Sequence, residues 1–86
     1  MTGVVRLLDI DTSNHQMIEA SSDVKADGYG ICRVGDMDNA ISPILGDKIT
    51  TGSSTVFANG KAVAMIYSKD TNNDIKISGS SDVIVN

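Results

Sequence analysis

The chain is poor in the residues that usually stabilise small domains: among its 86 residues are one cysteine, one histidine, one proline, one phenylalanine and no tryptophan. A single thiol, Cys32, excludes an internal disulfide and with it the cross-linking on which many small secreted scaffolds depend. Cys32 and His15 together fall short of the roughly four Cys/His ligands of a classical zinc site. The seven basic residues are scattered and outnumbered by eleven acidic ones, for a net charge of −4, which argues against nucleic-acid binding. No window approaches the roughly 20 apolar residues of a membrane-spanning helix, and the opening MTGVVRLLD lacks the basic-then-apolar layout of a signal peptide, so a chain made and kept in solution is expected. No run of ten or more residues carries a helical period. With one histidine, no nucleophile–base–orienter set can be assembled, and no glycine-rich phosphate loop of known spacing occurs, so the chain is not expected to be an enzyme.

What the chain does have is repetition. The stretch GSSTVFANGKAVA, Gly52 to Ala64, is echoed upstream by SSDVKADGYGIC and downstream by SSDVIVN. Ser-Ser pairs fall at Ser21-Ser22, Ser53-Ser54 and Ser80-Ser81; an R-x-x-D tetrapeptide spans Arg6 to Asp9 and Arg33 to Asp36, with Met65 to Ser68 in the third place. Arg6 to Ser21 and Met65 to Ser80 are both 15 residues, and Ser21 to Arg33 and Ser53 to Met65 are both 12. Arg33 to Ser53 is 20, so the middle copy carries five extra residues within MDNAISPILGDKITT, the segment that holds the proline. A self-similar period of this length points to a repeat architecture. The units run approximately over 4–31, 32–63 and 64–86, the last one cut short.

Within each unit the signals are those of extended chain. Thr55 to Ala58 and Asp82 to Val85 are rich in β-branched and aromatic residues, and Asn59-Gly60 and Asp27-Gly28 are hairpin turn pairs. Lys61 to Ile66 reads as the returning strand; at most a short helical turn fits the inserted loop. Three such hairpins, each too small to bury its own face, can close around a shared axis and match a threefold partner. Val24, Val56, Phe57, Val83 and Ile84 are the candidates for core and partner contacts, since alternation sends neighbours to opposite faces. Cys32 reads as a small buried apolar residue, and Asp9 and Asp36 as local partners of Arg6 and Arg33.

The pattern resembles the PAAR-repeat family, whose signature is close to A-x-R-x-G-D followed by G-S-x-x-V-x-x-N-G-x-x-A-A-R. The middle copy carries it best, in Cys32-Arg33-Val34-Gly35-Asp36 and then Gly52 to Ala64; the outer copies are weaker echoes. The resemblance implies a small conical all-β domain of three pseudo-threefold hairpin repeats. It also implies a role: a cap, one per trimer, that sharpens a trimeric β-helical spike and touches the target membrane briefly. The site of action would be the central spike of a contractile phage tail baseplate in the virion; the alternatives are a tip secreted through a type VI system, or a free-standing small metal- or ligand-binding β-domain.

Members of that family hold zinc near the tip with three histidines and a cysteine from the loops after the R-x-G-D motifs. Here the first loop offers His15 and the other two offer neither Cys nor His, while Cys32 falls at the alanine position of A-x-R. No zinc and no other cofactor is therefore expected. The one alternative is a divalent metal at His15, Asp47 and Asp74, each six residues before a Ser-Ser pair; the plainer expectation is that they are exposed turn residues.

Overall fold

The two turn pairs act as their composition demands: Asp27 and Gly28 take φ of 56° and 84°, Asn59 and Gly60 of 55° and 77°. Left-handed backbone at both central residues is the geometry of a tight hairpin whose twist matches its strands. In the computed structural model, which describes residues 2–41 and 46–85, these turns join β2 (Lys25–Ala26) to β3 (Tyr29–Gly30) and β4 (Phe57–Ala58) to β5 (Lys61–Ala62). Both pairs are antiparallel, in the registers Lys25↔Gly30 and Phe57↔Ala62.

The third pair joins the two ends of the chain. The strand β6 (Ile84–Val85) finds its partner at the other end of the chain, in β1 (Thr2–Gly3), with Thr2 opposite Val85 and Gly3 opposite Ile84. The N-terminal residues thus supply the returning strand that the C-terminal copy lacks. Gly3 is required there: a Cβ on it would lie 2.0 Å from the carbonyl oxygen of Ser80.

Shorter bridges tie successive segments together, and they recur in threes: Arg6↔Ile31, Arg33↔Val63 and Val4↔Met65; Ile10↔Gln16, Met37↔Lys48 and Lys69↔Ile75; Met17↔Asp38, Ile49↔Asp70 and Asp11↔Lys76. At the centre the backbone closes on itself. Val5 N–H donates to Ala64 C=O, Ala64 N–H to Cys32 C=O and Cys32 N–H to Val5 C=O, at 3.0, 2.9 and 2.9 Å. The fold is all-β, with no helix among the described residues. The helical turn allowed in the inserted loop falls in part on 42–45, outside the described residues.

The core follows the same order. Ala26, Ala58 and Val85 pack with Val4, Ile31 and Val63, flanked by Val24 and Met65; a second cluster gathers Val5, Cys32, Ala64, Met17 and Ile49. Cys32 takes the place that Val5 and Ala64 hold in the other segments, which makes it a small apolar filler. Its thiol contacts the carbonyl of Glu19 at 3.4 Å, and burial pushes its pKa far up, with Asp36 and Asp9 adding to the effect.

The polar residues that recur along the chain stabilise its turns. The hydroxyls of Ser21, Ser53 and Ser80, all buried, each accept the backbone N–H groups two and three residues ahead. Asp9 accepts the N–H of Arg6 at 2.7 Å, and Asp36 that of Arg33 at 2.8 Å; the Ser68 hydroxyl does the same for Met65 at 3.0 Å. The Arg6 and Arg33 guanidinium groups return to the same carboxylates, and each also reaches a hairpin turn, Asp27 and Asn59 respectively. Those carboxylate hydrogen bonds raise both arginine pKa values, and no catalytic arrangement of Asp9 with Asp36 is needed to explain them.

Candidate functional site

The molecule measures 31 × 23 × 22 Å, and two regions stand out among the described residues. The first is the outer face of the hairpins. Alternation buries Ala26, Ala58 and Val85, and turns their neighbours outward. Phe57 is 60% exposed and Ile84 46%, with Val56 and Val83 beside them; Tyr29 lies outward on β3 beneath the Arg6 guanidinium, 5.7 Å from its ring centre. Val24, by contrast, is half-buried against the first core cluster. The five apolar candidates therefore divide, with one packed on the core and four available on the surface.

The second region is a buried knot of charge. Asp11, Asp38 and Asp70 stand five residues after Arg6, Arg33 and Met65, and all three are buried. Each uses one oxygen in the same way. Asp11 Oδ1 accepts from Ser13 and His15 N–H, Asp38 Oδ1 from Ala40 and Asp47 N–H, and Asp70 Oδ1 from Asn72 and Asp74 N–H. Short polar side chains that fold back on their own loop in this way are what favours Asp in turns. The second oxygens converge on the Lys76 ammonium, 3.3, 3.0 and 3.2 Å from Asp11, Asp38 and Asp70, with no solvent exposure of any of the four side chains.

Burial and pairing compete at these groups. For Lys76 burial lowers the pKa, but the hydrogen bond and charge of Asp38 and the charge of Asp11 outweigh it and hold it above its ordinary 10.5. Burial pushes the Asp11 carboxyl up, yet the His15 and Ser13 N–H groups and Lys76 together keep it below the usual range. For Asp70 burial prevails over Lys76 and its backbone donors, and the carboxyl is raised.

His15, Asp47 and Asp74 lie around this knot. Their ligand atoms do not come together as one set: His15 and Asp74 gather within 4.8 Å only with Asp11, His15 and Asp47 with Asp38, and Asp47 and Asp74 with Asp70. Asp47 is fully buried, not an exposed turn residue, whereas His15 and Asp74 are partly exposed. Among the described residues Asp47 Oδ2 and His15 Nδ1 have no hydrogen-bond partner; the latter stands 3.5 Å from Asp11 Oδ2 and 4.0 Å from Asp74 Oδ2.

Lys76 itself escaped the sequence reading, although a signal existed. It bridges Asp11 as Met17 bridges Asp38 and Ile49 bridges Asp70, so it is a lysine in the register of two buried apolar residues.

No protein-family model matches the chain, and no curated protein matches it. The zinc that a PAAR-like domain would hold does not suit the residues present. The single thiol is in the apolar core and held protonated, there is one imidazole, and the point where three carboxylates converge is filled by an ammonium.

Proposed function

We propose that the chain is a spike-tip protein, a PAAR-like cap of three pseudo-threefold repeats that seats on the end of a trimeric β-helical spike, one cap per trimer. The observation that carries this reading is the recurrence of contacts in three segments, closed by the ring through Val5, Cys32 and Ala64 and by the pairing of β1 with β6. One chain with three near-equivalent hairpins is suited to meet three identical subunits. The outward apolar residues Val56, Phe57, Val83 and Ile84 lie on those hairpins, where the exposed strand ends of a trimer need cover. In this reading the protein belongs to the central spike of a contractile tail in the virion, its work is mechanical, and it is not an enzyme.

The test is stoichiometry. Mixed with a trimeric fragment of its spike, the chain should give one cap per trimer by light scattering. Phe57→Asp and Ile84→Asp should each weaken that complex tenfold or more, about 1.4 kcal/mol, while leaving the free cap folded. Three caps per trimer, or binding indifferent to both substitutions, would contradict the proposal.

A further inference from the structure

We propose that Lys76 is a cation supplied by the chain itself: its ammonium does for Asp11, Asp38 and Asp70 what a bound metal ion does for a carboxylate cage. The inference stands on the charge knot alone and is independent of the docking reading.

An ammonium has three N–H donors and no acceptor, and here each has one carboxylate oxygen, at 3.0 to 3.3 Å. The three oxygens lie within 4.8 Å of one another, a spacing at which oxygen donors hold a hard cation. Their partner oxygens are already committed to two backbone N–H groups each, so the aspartates cannot turn away from the centre. Three fixed, buried carboxylates without a positive charge between them would repel in a poorly screened interior.

Lys76 is built to deliver that charge. It stands in the register of Met17 and Ile49, so its four-carbon stem fills the third apolar place while its head passes beyond the apolar layer. It also joins distant parts of the chain, bridging 65 residues to Asp11, 38 to Asp38 and 6 to Asp70. A metal would link the same segments, but could be lost to dilution or a chelator. A covalently attached ammonium cannot. Removing it should uncover a divalent-cation site that the native chain conceals.

The experiment compares the intact protein with Lys76→Ala and Lys76→Met. In the intact protein, lysine-selective NMR should show one ammonium signal persisting at mildly alkaline pH, where exposed lysines exchange too fast to be seen, and its Tm should be the same in chelator and in millimolar manganese, calcium or zinc. Lys76→Ala in chelator should lose about 12 °C or more. At least one of those ions should restore half of that loss or more. Lys76→Met keeps the stem, so it leaves no room for an ion and should be destabilised without rescue. A Lys76→Ala chain that no ion restores overturns the proposal. So does an intact protein whose Tm rises with a divalent ion, or whose ammonium signals all exchange at the exposed rate.

Discussion

Gly3→Ala tests whether the start of the chain really completes the hairpin at its end. The new Cβ would sit 2.0 Å from the Ser80 carbonyl oxygen and 3.1 Å from its carbon, where real Cβ contacts under 3.0 Å essentially never occur. The obstacle is backbone, so no side-chain rotation relieves it; β1 must move by about 1 Å or the Ser80 loop must yield. Overpacking of that kind costs about 1–3 kcal/mol. The displaced segment also carries the bonds Val4 N–H to Val83 C=O at 2.9 Å and Ser80 N–H to Val4 C=O at 2.8 Å. Weakening both adds about 1 kcal/mol each, for roughly 3–5 kcal/mol in all. A domain of this size has only about 4–13 kcal/mol to lose, and each kcal/mol moves Tm by about 4–8 °C, so a fall of at least about 12 °C is expected. Thermal unfolding followed by circular dichroism would measure it. Gly60→Ala is the control: it meets nothing within 4 Å and suffers only the left-handed backbone penalty of about 1–2 kcal/mol. If Gly3→Ala costs no more than that control, β1 does not lie against Ser80 and the closure of the chain's two ends is wrong.

Ser53→Ala should lose about 1–2 kcal/mol in urea denaturation, because two N–H groups at 3.1 and 2.9 Å lose their acceptor; Ser21→Ala and Ser80→Ala should cost about the same. Stability should hold from neutral pH to near 10.5 and fall beyond it: Lys76 is raised in the folded state, so its contribution is complete below the unfolded value and disappears as pH climbs through the folded one. A Tm flat through that alkaline range and above would refute the ion-pair geometry. Elemental analysis of the purified chain should find no stoichiometric zinc, and His15→Ala should change stability by less than about 1 kcal/mol, since its Nδ1 has no hydrogen bond to lose among the described residues. Zinc at one equivalent that disappears with that substitution would overturn both expectations.

The hairpins were legible because their signals are local. Asn59-Gly60 and Asp27-Gly28 specify a turn from two adjacent residues, and Ser53 caps N–H groups within its own loop, so neither depends on the rest of the chain. The pairing of β1 with β6 gave no such signal: Thr2-Gly3 is two residues long, and its strand character comes from Ile84 and Val85, more than 80 positions away. The charge knot was hidden for a related reason. Asp11, Asp38 and Asp70 look like ordinary turn aspartates, and a lysine reads as exposed unless the three carboxylates that compensate its burial are known to meet. The outer trio was found by its common spacing, yet spacing could not tell that each pair of its members would share an inner aspartate and that Asp47 would be fully buried.

The ring of hydrogen bonds through Val5, Cys32 and Ala64 has a dynamic consequence. In an open sheet an outer strand can fray while the inner strands stay paired, but in a three-member circuit every segment is held by both others and none is an edge. Slow amide exchange at Val5, Cys32 and Ala64 should therefore share a single opening free energy, equal to that of global unfolding, and all three should respond alike to denaturant. A centre without an edge strand offers no free end at which opening can begin, and it gives way under load as a single unit.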